Sequence, residues 1–471
     1  MNFKTIKYQL LLISSLLFLP PHFSFAQDTL QISLSEFIQK GINNSGEVHF
    51  RKQDVNLAEN RVNQAKSQRI LPKFDLNTQH GLVPGVASDS VRPNGNKLPK
   101  DEYYLDPNLS NDWENWSIFT RAEVNAIQPL FSWGAIDNAV KAAQAGAEAA
   151  RDQFNAQKSQ LHLKLYDLYY SYVLTLELER ILDDAQSQIN KIDDKIDEME
   201  KKGNSDLDQS DVYKFKVYKS VFAMRAAEVK ENDQFIKETW NYLLKADSGT
   251  VYEPEDQFLD PVQQQLNAVD FYKKHALSNR AEIQGIEAGI KAAKFGLKAR
   301  KAQSYPMLFL GLTASYANTP NRPRQSNPFI INNTNYATAG FGLGIRQNLN
   351  FYEIKTDIQK NRIQYKKAKF LKDAAVDGIM LDIMDKYKEA SLADVKVDKT
   401  DDAFVTSKKW LRQEQLDYDL GIGQVKDMVD ALKTRLEMEV NYKRRIFEFN
   451  KKMAELYQAA GMPLTSLKMK N

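Results

Sequence analysis

The sequence has 471 residues, 42% hydrophobic and 27% charged, with 64 Lys and Arg against 61 Asp and Glu for a formal charge of +3. A mean hydropathy of −0.53 excludes a polytopic helical membrane protein, and so small a net charge leaves no broad electrostatic footprint for nucleic acid. The absence of cysteine removes thiol catalysis, disulfides, Cys-ligated zinc and Cys-linked lipid anchors, and His22, His49, His80, His162 and His275 match no metal-ligand spacing.

Residues 1–26 open with Lys4 and Lys7, run through an apolar stretch at 10–19, break at Pro20 and Pro21 and end in Ser24-Phe25-Ala26. This reads as a secretory signal, with Gln27 first in the mature chain. The alternative, a transmembrane anchor, is opposed by the short run and the prolines. The leader carries two lysines and no acid, so the exported remainder is close to neutral.

Beyond the leader, a helical stretch covers 47–69, and after Pro72 the period switches to two. Strands are expected at about 73–83 and 116–130, separated by a polar loop crowded with Pro, Asn, Asp and Gly. Residues 130–253 hold no proline until Pro254, and a helix interior loses about 3 kcal/mol to one. A long helix at 135–202, a turn at Gly203 and a returning helix at 207–246 follow. Ile189, Ile192, Ile196 and Met199 repeat at spacings of three and four, the seam of a coiled coil.

The same order then recurs, with a helix at 281–301, strands at about 307–317 and 336–349, and a second proline-free stretch from 329 to 462. That stretch holds a helix at 353–420, a turn at Gly421 and Gly423, and a returning helix at 425–460. Ala337, Ala339, Phe341, Leu343 and Ile345 alternate with Thr338, Gly340, Gly342, Gly344 and Arg346, apolar on one face and small or polar on the other. The three glycines lack the spacing of a nucleotide loop and suit a barrel interior. Matching pieces, Leu71-Pro72 with Tyr305-Pro306 and Gln128-Pro129-Leu130 with Gln347-Asn348-Leu349, mark a tandem duplication. The expected organisation is a leader at 1–26, a first repeat at 27–250 and a second at 251–471.

Each strand is about ten residues long, enough to cross a bilayer when tilted; the alternative is a soluble sheet. Trp113, Trp116, Trp133, Tyr316, Tyr336, Phe351 and Tyr352 stand near strand ends, where an aromatic girdle would lie. Four strands cannot close a barrel, since the smallest in membranes have about eight, and open edges are not tolerated in lipid. Subunits must therefore share one barrel, of about eight strands in a dimer or about twelve in a trimer. Each long helix would reach roughly 100 Å, and a returning helix with a shorter one stacked end to end makes up most of that length.

This pattern resembles the outer-membrane efflux protein family typified by TolC, over nearly the whole mature chain. The signals that carry the resemblance are Leu71-Pro72, Tyr305-Pro306, Gln128-Pro129-Leu130-Phe131 and the two glycine turns, in an order repeated twice. It implies a mainly α-helical chain with a membrane β-barrel. Three copies would form a twelve-stranded outer-membrane barrel, four strands from each, continuous with a periplasmic α-helical coiled-coil tunnel. The family pattern at the second turn has a tyrosine three residues before the glycine and aspartates six and nine after it. Tyr418, Asp427 and Asp430 fall on those positions. The resemblance makes the aspartates rings at the periplasmic entrance and Tyr418 part of a latch network, with Asp211 as its carboxylate partner. It also places Gly203, Leu420, Gly421 and Gly423 at hairpin tips that dock an adaptor. Where the family has an arginine this chain has Gly423, so a latch needs another donor, with Lys426, Lys201 and Lys202 as candidates.

Asp427 and Asp430 are three apart and share a helix face. Around a threefold axis their carboxylates would form a negative constriction that attracts cations and invites a divalent ion. The alternative is a solvated acidic face. No catalytic constellation stands out, so the expected function is a passive outer-membrane conduit of a Gram-negative tripartite efflux or type I secretion system, without cofactor. It would be a homotrimer in outer-membrane lipid, partnered by a periplasmic adaptor and an inner-membrane pump and binding no nucleic acid. The competing readings are a periplasmic coiled-coil adaptor or scaffold without a channel, and a secreted enzyme.

Overall fold

The computed structural model describes residues 28–70, 72–202, 208–247, 249–324, 327, 329–420 and 422–469. The leader, Leu71 and the two turn glycines Gly203 and Gly421 lie outside the described residues. The chain begins with β1 (Asp28–Ile32), α1 (Leu34–Asn44), α2 (Gly46–Ile70), β2 (Lys73–Ser88), β3 (Leu109–Phe131), α3 (Ala135–Lys202) and α4 (Gln209–Leu244). It continues with β4 (Thr250–Pro254), α5 (Val269–Asn279), α6 (Ala281–Ala302), β5 (Met307–Asn318), β6 (Tyr336–Arg346), α7 (Phe351–Asp419) and α8 (Val425–Ala459). A short strand, two helices, two longer strands and a pair of long helices thus appear twice in order.

Local chemistry sets the ends of these elements. Ser33 caps α1 through a capping box, its Oγ accepting from Glu36 N at 3.4 Å while Ser33 N donates to Glu36 at 3.2 Å. Trp133 and Gly134, at φ of 53° and 76°, turn the chain from β3 into α3 through the left-handed region. Asp208 caps α4 by accepting from Ser210 N at 2.8 Å.

The chain divides into two compact units. One gathers the described residues of Met1–Val48, Lys158–Ser278 and Leu381–Asn471; the other comprises His49–Gln157 and Asn279–Met380. In the first, Ile189, Ile192 and Ile196 of α3 pack with Val212 and Phe215 of α4, Leu411 of α7, and Met428 and Leu432 of α8. The spacing of three and four noted along α3 is the seam of this four-helix core. Farther along, Trp240 is fully buried, with its ring centroid 4.2 Å from Phe37, 5.5 Å from Tyr169 and 4.9 Å from Tyr172. Each such side chain contributes about 1.5–3 kcal/mol by leaving water. β1 and β4 pair in parallel beside it.

The second unit holds a four-stranded antiparallel sheet in the order β2-β3-β5-β6. The β3–β5 pairing joins the two halves of the chain, and β2 and β6 are its edges. Two strands run past their expected limits. β2 continues to Ser88 and β3 begins at Leu109, pairing from Gly85↔Asp112 to Ser88↔Leu109 beyond an irregularity at Pro84. Backbone pairing needs no apolar alternation, so this polar ribbon reads as loop in the sequence. Asp106 secures its end, accepting from Ser88 Oγ, from Ser90 Oγ at 2.8 Å and from Asn108 N at 2.8 Å. β6 stops at Arg346, short of 349.

Candidate functional site

The register sorts the sheet into two unlike faces. Phe74↔Ala126, Leu76↔Val124 and Leu82↔Ile118 pair between β2 and β3, Val124↔Ala314 and Ala126↔Leu312 between β3 and β5. Leu312↔Phe341, Leu310↔Leu343 and Leu308↔Ile345 complete the set. All these side chains share one face, and Phe74, Leu76, Leu82, Ile118, Phe341, Leu343 and Ile345 are exposed on it. The other face carries Lys73, Asp75, Asn77, Gln79, Arg121, Glu123, Asn125, Thr313, Ser315, Thr338 and Arg346 between glycines. An exposed apolar surface on this scale marks an interaction with lipid or protein. No helix among the described residues is long and apolar enough to cross a membrane. His80, on the apolar face, meets Thr120 Oγ1 at 3.2 Å through Nδ1.

Aromatic residues flank this face. Trp113 and Trp116 sit 5.8 Å apart at the far end of the sheet from the helices, with Trp116 Nε1 donating to the Trp113 carbonyl at 2.8 Å. At the helical end, Trp133 donates to the Pro306 carbonyl at 2.8 Å and contacts Phe131 and Tyr305 at 5.1 and 5.4 Å. Tyr316, Phe351 and Tyr352 are exposed. Tyr336 differs from the sequence expectation: it pairs with Ala317, which sets it on the polar face.

The helical tip is built by α3, α4, α7 and α8. After α7, the N–H groups of Ile422 and Gly423 both donate to the Asp417 carbonyl, at 3.0 and 2.9 Å. This folds Gly423 so tightly against the helix end that a Cβ there would lie 2.6 Å from Tyr418 N. Tyr418, half-buried, donates to Met199 Sδ at 3.4 Å. Lys195 lies 4.6 Å over its ring and 3.6 Å from Asp419 Oδ1. The sequence reading passed over Lys195, whose position beside Ile192 and Ile196 on the seam was its only signal.

Asp211 accepts from Lys214 Nζ at 3.0 Å. The Asp211 hydrogen bond, with Asp430 adding attraction from farther off, holds the Lys214 ammonium above its usual range. Asp427 is half-buried and Asp430 exposed on the first turns of α8, beside the buried Met428 and Val429. Lys426 is exposed, and the cation over the Tyr418 ring in this chain is Lys195. Leu420 is exposed at the end of the hairpin. Among the described residues no three His, Asp or Glu side chains gather as a metal site.

No protein-family model and no curated protein matches the chain. Solved structures do. CusC, described through its folding and transmembrane channel formation, aligns at a TM-score of 0.70 and 13% identity, covering 94% of this chain and 97% of that one. The CmeC outer membrane channel of Campylobacter jejuni aligns at 0.67 and 13%, covering 92% and 86%. The open-state MtrE outer membrane channel of Neisseria gonorrhoeae aligns at 0.67 and 14%, covering 92% and 89%. The chain has the TolC-like outer-membrane channel fold. In that channel fold the two-faced sheet is the barrel portion and the paired long helices are the tunnel portion, so the apolar face and the tip belong to one architecture.

Proposed function

We propose that the chain is the outer-membrane channel of a tripartite efflux or type I secretion system in a Gram-negative bacterium. It would act as a passive conduit rather than an enzyme. The observation that carries this reading is the sheet: one face apolar and exposed across all four strands, the other polar, and both edges open. Open edges are excluded from lipid, so the sheet must complete itself with other copies. Three copies supply twelve strands, and the polar faces then line a water-filled lumen. Residues 27–250 and 251–471 are the two repeats of an ancestral duplication, which gives each chain its four strands. A coiled-coil adaptor would have no use for such an apolar face, which disfavours that alternative.

The helical tip is the periplasmic entrance. Asp427 and Asp430 form its acidic constriction, and Tyr418 with Lys195 holds it shut, with Asp211 and Lys214 alongside. The turns at Gly203 and at Leu420, Gly421 and Gly423 dock the periplasmic adaptor, through which an inner-membrane pump delivers cargo. The test is purification from outer membranes, mass measurement and planar-bilayer recording. The expected result is an assembly of three chains that conducts ions; a soluble periplasmic monomer would overturn the reading.

A further inference from the structure

One arginine on the polar face of the sheet stands apart from the pairing around it. Arg346 ends β6 opposite Met307 and is exposed, its guanidinium carbon 5.2 Å from the centre of the Phe309 ring. Phe309 in turn lies across bare backbone. A Cβ on Gly344 would fall 2.5 Å from its Cζ, and one on Gly311 would fall 3.5 Å from its Cε2. Aromatic rings cover strand glycines in this way elsewhere, and here the ring becomes a platform for the cation. Other charges on that face, toward the opposite end of the strands, are engaged: Arg121 donates to the Asn333 carbonyl at 3.4 Å, and Glu123 accepts from Asn125 at 2.6 Å. Among the described residues Arg346 has no acidic partner; its recorded contact is the Phe309 ring.

We propose that Arg346, propped on Phe309, is an anion-recognising station on the lumenal wall, and that it favours organic anions with an aromatic or apolar body. The proposal deepens the channel reading and rests on it. A guanidinium is planar and weakly hydrated, and its fork of N–H groups matches a carboxylate or sulfonate. Contact with the Phe309 ring, 5.2 Å from the guanidinium carbon, supports the cation from one side. Met307, directly across the strand pair, adds a polarisable apolar surface beside it. Lys73, Arg121 and Arg346 outnumber Asp75 and Glu123 on this face, so each copy brings a positive excess to the lumen. The station lies where β6 leads toward α7, at the end where cargo would enter the barrel from the helices.

The test compares wild type with Arg346→Gln, Arg346→Lys and Phe309→Leu in planar bilayers. Reversal potential is read in a potassium chloride gradient, and block is read with naphthalene sulfonate. Arg346→Gln should move the permeability ratio toward potassium and weaken the block about fivefold. Arg346→Lys should restore the ratio but not the block, because an ammonium lacks the planar fork. Phe309→Leu should keep the ratio and weaken the block. An unchanged ratio and unchanged block in Arg346→Gln would overturn the station while the channel stands, as would wild-type channels indifferent to naphthalene sulfonate. A wild-type preparation that conducts nothing would overturn the channel reading and the station with it.

Discussion

A methyl group at position 423 has no room. Its carbon would meet Tyr418 N at 2.6 Å and the Asp417 carbonyl carbon at 2.8 Å, both backbone atoms held by the turn's own hydrogen bonds. Gly423→Ala should therefore open the turn and destabilise the tip by about 1–3 kcal/mol, read as a lowered denaturation midpoint and faster trypsin cleavage after Lys426. The cation over the Tyr418 ring comes instead from another helix, as Lys195. Asp427→Ala combined with Asp430→Ala should lower cation selectivity and relieve divalent block in planar bilayers; unchanged selectivity would remove the aspartates from the entrance. In the polar ribbon between β2 and β3, the Ser88 hydrogen bond foremost, then those from Asn108 N and Ser90, holds the Asp106 carboxyl below its ordinary value of 3.8. A carboxylate stabilised by folding contributes above its unfolded pKa and stops contributing as pH falls through its folded one. The outer ribbon should accordingly become pepsin-sensitive as pH drops below the ordinary carboxylate value. Asp106→Asn should remove that pH step, leaving the ribbon equally sensitive on both sides of it.

Along the helices, α3 and α8 are tied by ion pairs in antiparallel register: Asp167 with Lys451 at 2.8 Å, Glu177 with Lys443 at 3.1 Å and Asp184 with Arg435 at 3.0 Å. The middle pair is the most enclosed and also fastens the segment after β4. Glu177 accepts from Leu259 N at 3.0 Å, and Lys443 donates to the Leu259 carbonyl at 3.1 Å. Asn450, fully buried, accepts from Val262 N at 3.0 Å and donates to the Asp260 carbonyl at 2.8 Å. Glu177→Ala leaves the buried Leu259 N–H without its acceptor and the half-buried Lys443 ammonium without its carboxylate, so a loss of about 3 kcal/mol is expected. Glu177→Gln, which can still accept from Leu259, should cost less; thermal unfolding in detergent measures both. The exposed pair Lys399 and Asp402, at 3.0 Å one helical turn apart, should contribute well under about 1 kcal/mol by comparison.

For the whole molecule, the decisive quantity is the apolar face of the sheet. A charge placed near the middle of a lipid-facing barrel surface costs about 2–4 kcal/mol, and the proposed threefold repetition would multiply it. Phe341→Arg on the apolar face should reduce recovery of assembled protein from outer membranes, whereas Thr338→Arg on the polar face should leave it near wild type. Equal loss in both would mean that the face does not meet lipid. The low mean hydropathy fits this architecture, because long solvated helices outweigh four strands whose alternate residues are polar or glycine.

Local rules made much of this legible in advance. Proline and glycine mark where helices stop, so the expected long helices at 135–202 and 353–420 match the observed Ala135–Lys202 and Phe351–Asp419. A period of two assigned Phe341, Leu343 and Ile345 to one face of β6 and Gly340, Gly342 and Gly344 to the other without any knowledge of their neighbours. Pairing is different in kind. The polar ribbon at 85–88 and 109–112 is held by backbone hydrogen bonds that leave no hydrophobic period to read. The β3–β5 junction brings Ala126 against Leu312, and Tyr418 finds Met199 from 219 residues away. Each such contact depends on the rotation and register of whole helices and strands, to which one residue more or less would give a different partner. By itself the sequence determined the long helices, the apolar-alternating stretches of the four long strands and the turns between them, because those are decided by neighbours in the chain. Only the tertiary structure decided that Lys195 lies over the Tyr418 ring and that Arg346 rests on Phe309, because those are decided by packing between elements far apart in it.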